Sequence, residues 1–151
     1  MARNLFEDSK VREVKARMAQ LRPDSQRSWG KMNAAQAVAH CAAGLELAFG
    51  DRTPPRMLIG RIVGPFVKPK VVGNDEPMRR NSPTVKGLVI QDERNLATER
   101  DRLYLMIDRF VLAGPGGCTD HPHSFFGRLT SQEWAILMYK HLDHHLRQFG
   151  V

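Results

Sequence analysis

The sequence predicts an all-α protein: a four-helix bundle with a long crossover between its second and third helices. Three features lead there. Apolar residues recur at three- and four-residue steps in four separate stretches. Two of those stretches open with a capping box. Between the second and third, residues 51–95 carry prolines at 54, 55, 65, 69, 77 and 83 and glycines at 60, 64, 73 and 87, which interrupt any long helix. The 151 residues are the length of one domain, taken as 1–151, and can bury a core without a disulfide framework.

The first helix is expected over Glu7–Leu21, with Phe6, Val11, Val14, Met18 and Leu21 as its apolar stripe. Pro23 ends it, because proline disfavours helix in the residue before it. The second starts after Asn33, an N-cap with Gln36 completing the box, and runs from Ala34 to Phe49 before Gly50. It is rich in alanine and apolar on nearly every side, as a central helix would be. In the crossover a short helix is expected around Arg56–Val63 and an extended segment at Val85–Ile90. The third bundle helix covers Leu96–Leu112, with Leu103, Tyr104, Ile107, Phe110 and Val111 buried, and stops at the glycine-rich 113–117 segment. Thr130-Ser131-Gln132-Glu133 caps the last helix, Ser131–Gln148.

Composition narrows the function classes. Hydrophobic residues at 42% and charged residues at 26% exclude a disordered chain. No apolar run reaches the roughly 18 residues of a membrane span, and the N-terminus lacks a leader's apolar stretch and cleavage site, so a cytoplasmic protein without a membrane partner is expected. Cys41 and Cys118 lack the number and spacing of a thiolate zinc site. The net charge of +7 admits nucleic acid or an acidic small molecule as partner. Neither a helix-turn-helix nor an interleaved aromatic and basic surface is present, so nucleic acid is not the expected ligand.

The histidines are the most informative residues. Five of six, His121, His123, His141, His144 and His145, fall after residue 120; the sixth is His40. On a helical wheel Trp134, Met138, His141, His145 and Gln148 lie within about 40° of one line. His141 and His145 thus take positions where a bundle ordinarily places leucine, one turn apart on the same face. His144 lies at the edge of that arc. In the second helix His40 shares its face with Gln36, Ala37, Ala43, Gly44 and Leu47, mostly small residues that leave room beside the imidazole. Three neutral imidazoles from two helices can hold a divalent ion and leave coordination positions open.

Other clusters have simpler readings. His121-Pro122-His123-Ser124-Phe125-Phe126-Gly127 reads as a turn with two aromatics packing onto the bundle, and His121 or His123 could act at the mouth of a site. Arg79, Arg80, Lys68 and Lys70 read as a solvated loop, with an anionic ligand as the alternative. Arg100, Arg102 and Arg109 alternate with acids and read as an exposed helix face.

Two stretches, Met32-Asn33-Ala34-Ala35-Gln36-Ala37-Val38-Ala39-His40 and Lys140-His141-Leu142-Asp143-His144-His145-Leu146-Arg147-Gln148, resemble the DinB/YfiT-like superfamily of metal-dependent bundle proteins. The segment from His121-Pro122 through Phe126-Gly127, then Leu129-Thr130 and Glu133-Trp134, resembles a subfamily of unknown function within it. The resemblance implies a metal on His40, His141 and His145, the set the wheels select, with zinc, nickel or iron as the ion. It also implies transfer or rearrangement of groups using low-molecular-weight thiols, and a homodimer; hydrolysis by a metal-activated water fits the same three-histidine site. His144, His121 and His123 are the candidates for moving protons. The expected function is therefore a metal-dependent enzyme acting on an acidic or thiol-bearing small molecule. The alternative is a non-catalytic basic binding protein for nucleic acid or a protein partner, with a structural or absent metal.

Overall fold

Asn33 and Thr130 start the two helices that carry the ligand-type histidines. Asn33 Oδ1 accepts the Gln36 N–H at 2.9 Å while Gln36 Oε1 accepts the Asn33 N–H at 3.0 Å. Thr130 and Glu133 repeat the exchange at 3.1 and 2.8 Å. Each cap satisfies two N–H groups that a helix start leaves free, and the capping side chain is worth about 1 kcal/mol. A computed structural model describes residues 1–151 and is all-helical, without strands. Its helices are α1 (Asp8–Met18), α2 (Ala34–Phe49), α3 (Leu58–Val72), α4 (Leu96–Ala113) and α5 (Ser131–Gln148). A 3-10 turn, Pro115–Gly117, follows α4.

Helix α2 is buried along almost its whole length, from Ala34 to Ala48, and packs against both α4 and α5. Its alanines let those neighbours approach closely. Helix α1 lies against α5 and α4, and α3 against α5. The core they share includes Val14, Met18, Leu45, Leu103, Ile107, Phe110 and Leu142, all essentially inaccessible to solvent. Each such aliphatic or aromatic side chain contributes roughly 1.5–3 kcal/mol by leaving water.

Helices α2 and α5 have the bounds expected, and α4 extends one residue past Leu112. Helix α1 ends at Met18 rather than Leu21; the chain then tightens into turns, with Leu21 N–H donating to Met18, and Leu21 is buried all the same. On α4, Leu103, Ile107 and Phe110 are buried, whereas Tyr104 and Val111 are only half-buried.

The crossover departs most from expectation. The helix expected around Arg56–Val63 is instead Leu58–Val72, with Pro65 and Pro69 inside it. Each proline removes an N–H from the ladder and frees the carbonyl four residues earlier. Both prolines are exposed, so those carbonyls face water, and the helix continues. On its inner side Gly60 and Gly64 are buried against the Phe125 backbone; a β-carbon on Gly60 would stand 2.6 Å from the Phe125 carbonyl oxygen. On its outer side Leu58, Ile59, Ile62 and Phe66 are exposed. Val85–Ile90 is not extended either. It holds a turn closed by Leu88 N–H on the Val85 carbonyl at 3.1 Å, with Gly87 at φ +88.

Charged side chains expected in solvent tie these pieces together. Arg100 donates to the Leu21 carbonyl at 2.8 Å, Arg102 pairs with Glu46 on α2, and Arg109 forks onto Asp51 at 2.6 and 3.2 Å. The α4 arginines therefore clamp α4 to its neighbours. Lys68 lies on α3, not in a loop, and binds the Arg128 carbonyl and Glu133, each at 2.9 Å. Lys140, buried on α5, donates to the Val71 carbonyl at 2.5 Å and to Asn74 Oδ1 at 3.1 Å, at the C-terminal end of α3 where a cation is favoured.

Candidate metal centre

Helices α2 and α5 bring His40, His141 and His145 together, with ligand-type nitrogens all within 4.8 Å of one another. His40 is buried; His141 and His145 are half-buried. His40 Nε2 and His141 Nε2 stand 3.0 Å apart, and the three rings meet edge to face at 4.8–4.9 Å between centroids. Gly44 makes room for this. A β-carbon there would come within 2.8 Å of His141 Nδ1 and 2.9 Å of its Cε1.

The outer nitrogens determine which atoms face inward. His40 Nδ1 lies 2.6 Å from the Leu88 carbonyl oxygen, so it carries the proton and donates, leaving Nε2 as the lone pair. His145 Nδ1 lies 2.8 Å from Gln148 Oε1. The orientation of that amide is set in turn, because Gln148 Nε2 donates to the Trp29 carbonyl at 2.7 Å. Gly30 makes the last approach feasible: its φ is +78, and a β-carbon there would meet Gln148 Nε2 at 2.5 Å.

Electrostatics keep the cluster neutral. Burial, reinforced by the adjacent His40 and His145 rings, holds His141 well below the ordinary histidine range. Burial, with His40 adding, pushes His145 down to about 3, despite the opposing bond to Gln148. Burial also lowers His40, against the raising effect of the Leu88 carbonyl. Near pH 7 all three present lone pairs, the protonation state a metal ligand requires.

The donor set fits a divalent ion. With bonds of about 2.0–2.1 Å, imidazole nitrogens at right angles around an ion are about 3.0 Å apart, as His40 and His141 are. Two such bonds span at most about 4.2 Å, so a pair at the 4.8 Å limit would close by a modest ring rotation. Outer hydrogen bonds to a carbonyl and an amide are the usual support for ligating histidines.

The three other histidines stand outside the cluster. His144 turns toward Trp29, with ring centroids 5.4 Å apart, and meets the Met78 backbone. Burial lowers its pKa. Arg80 covers the Trp29 ring at 4.4 Å, so it is docked on an aromatic rather than free in a loop. His121 is exposed and donates from Nδ1 to the Pro122 carbonyl at 3.0 Å. His123 anchors a tight turn through reciprocal backbone bonds with Gly127 at 2.9 and 3.0 Å. Burial, then the Arg56 charge, brings it down to about 4. The Leu88 and Trp29 carbonyls were not expected as supports, since backbone acceptors leave no mark in a sequence pattern. Gln148 did lie on the histidine line of the wheel.

No curated protein and no solved structure gives a significant match to this chain. A family model described as "Protein of unknown function (DUF1569)" matches residues 4–150. With all but a few terminal residues matched, the chain belongs to the DUF1569 family.

Proposed function

We propose that the protein is a metal-dependent enzyme of the DinB-like type, holding a divalent ion on His40, His141 and His145. In this proposal α1, α2, α4 and α5 form the superfamily's four-helix bundle, the chain is one domain, and the crossover covers the site. The observation that carries it is the pair of Nε2 atoms 3.0 Å apart, with the outer nitrogens of His40 and His145 already engaged. A satisfied core histidine has no need of two more imidazoles at its other nitrogen.

A bound zinc, nickel or iron ion would supply a Lewis acid able to bring a water or a substrate thiol near neutral pKa. The chain's own residues do the rest. Leu88 and Gln148 orient two ligands, and Trp29 orients Gln148. His141 and His145 are half-buried, and the proposal has a small molecule approach the ion from their side. His144, whose ring centroid lies 5.0 Å from that of His145 and which burial keeps neutral, is the proposed candidate for moving a proton, though it would have to turn from Trp29 to do so. Hydrolysis and thiol transfer both fit this set. Two unpaired cysteines accord with a reducing compartment, and the cytoplasm is the proposed setting.

The test is elemental analysis of protein purified without a histidine tag, beside His145→Ala. Near-stoichiometric metal that disappears in the variant supports the assignment and justifies a substrate screen. No metal in either protein after zinc, nickel and iron are added back overturns it.

A further inference from the structure

Helix α3 presents a face that nothing in the chain covers. Leu58, Ile62 and Phe66 follow one another at four-residue steps, with Ile59 beside them, and the four are 60–78% exposed. Pro65 and Pro69 lie in the same strip and are exposed as well. Single apolar residues on a surface carry no message, but an unbroken strip of them marks an interaction site. The face cannot roll inward. On the opposite side Gly60 and Gly64 seat the helix on the Phe125 backbone, where a β-carbon on either would stand 2.6 or 2.4 Å from the carbonyl oxygen. Lys68 ties the helix down further through Glu133, at 2.9 Å.

The charge around the strip has one sign. Residues 52–74 hold five cations, Arg52, Arg56, Arg61, Lys68 and Lys70, and no Asp or Glu. Three of the five are engaged within the protein: Arg52 with Glu46, Arg56 with the His123 carbonyl and Lys68 with Glu133. Arg61 and Lys70 are exposed, and their side chains make no ion pair or hydrogen bond. At about 100° per residue they fall on the two edges of the strip, Arg61 about 60° before Leu58 and Lys70 about 20° beyond Ile59.

We infer that α3 docks on an anionic lipid surface, lying in its plane with Leu58, Ile59, Ile62 and Phe66 against the acyl chains and Arg61 and Lys70 at the headgroups. An apolar strip edged by cations is the pattern of a helix that rests in an interface. No helix of the chain is long and apolar enough to cross a membrane, and this one needs only to lie on it. Two features favour lipid over protein. No side chain in the strip can donate or accept a hydrogen bond, so it lacks the polar contacts, roughly one per 100–200 Å², that a protein interface carries. Fluid acyl chains require none. A second copy packed face to face would bring two basic rims together, with no acid in the segment to meet them. Pro65 and Pro69 limit the depth, because the carbonyls they free need water, which the headgroup region supplies.

The test sediments the full-length protein with vesicles of phosphatidylcholine alone and of phosphatidylcholine mixed with phosphatidylserine. Binding to the mixed vesicles is expected, weakening as salt is raised, with much less binding to phosphatidylcholine alone. Phe66→Ser, checked as folded by circular dichroism, should weaken it by about tenfold or more. Arg61→Gln and Lys70→Gln should each weaken it by about fivefold. Arg12→Gln, which removes an exposed cation on α1, should leave it nearly unchanged. No sedimentation with the mixed vesicles, or equal binding to both kinds, overturns the proposal. Equal losses from Arg12→Gln and Arg61→Gln also overturn it, since net charge alone would then be the attraction. So does a dimer of the free protein, seen by analytical ultracentrifugation, that Phe66→Ser dissociates, because the face would then belong to a second copy.

Discussion

Gly44→Ala should impair metal binding without touching a ligand. The added β-carbon would come within 2.8 Å of His141 Nδ1, against an ordinary contact of about 3.4 Å or more, so the ring must give by over half an ångström. It has little room, with His40 Nε2 3.0 Å from its other ring nitrogen and the His145 centroid 4.9 Å away. Displacing a ligand on this scale resembles loss of an outer-shell support, so affinity should fall about 10–100-fold, or roughly 1.4–2.8 kcal/mol. Stability should change less. Alanine gains about 1 kcal/mol of helix propensity over glycine, while overpacking costs roughly 1–3 kcal/mol. The net is a loss of at most about 2 kcal/mol, and thus a fall in Tm of no more than about 8 °C. Competition against a fluorescent chelator gives the affinity, and circular dichroism gives Tm. Wild-type metal affinity in a folded Gly44→Ala protein would refute the packing of His141 on Gly44 as a determinant of the site.

Within the His144–His145 pair, His145→Ala should abolish bound metal and His144→Ala should retain it; equal losses by elemental analysis would reverse the ligand choice. Metal-free protein should lose stability in acid. His123 binds its proton near 6.5 when unfolded but only at about 4 when folded, so the unfolded state takes up more protons between those values. The stability this residue contributes is complete above about pH 6.5 and falls by roughly 3 kcal/mol towards pH 4; equal urea midpoints at pH 7 and 4.5 would contradict this. Arg17→Met should cost about 3–5 kcal/mol, because Asp143, with its side chain 5% exposed, loses a cation held at 2.8 Å. A loss under 1 kcal/mol in denaturant melts would mean that Arg147, at 2.7 Å, compensates alone. Phe66→Ser on the outer side of α3 should stay within about 0.5 kcal/mol of the parent protein, since that ring is already exposed.

Local rules located α2 and α5 because Asn33, Gln36, Thr130 and Glu133 make their contacts within one turn. The three-histidine face was legible for the same reason: helical spacing alone puts His141 and His145 on one side and His40 among small residues. Helix α3 escaped those rules. Proline is ordinarily read as a breaker, and whether its orphaned carbonyl reaches water depends on which side of the helix faces the protein. The buried charges Lys140 and Asp143 also read locally as surface residues. Their partners, Val71, Asn74 and Arg17, lie about 65 to 125 residues away, beyond any periodicity.

The bond from His40 to the Leu88 carbonyl has a dynamic consequence. Leu88 belongs to the part of the crossover that follows α3, a segment of turns held to α2 by this bond and by Gln36 Nε2 donating to the Asp92 carbonyl at 3.0 Å. Whatever fixes the His40 ring therefore also restrains that segment, and by thermodynamic reciprocity whatever loosens the segment loosens the ring. In the proposed metal enzyme, occupancy of the centre and opening of residues 80–92 would be one linked equilibrium. Amide exchange across residues 80–92 would then slow on metal loading, although that segment contributes no side chain to the three-histidine cluster.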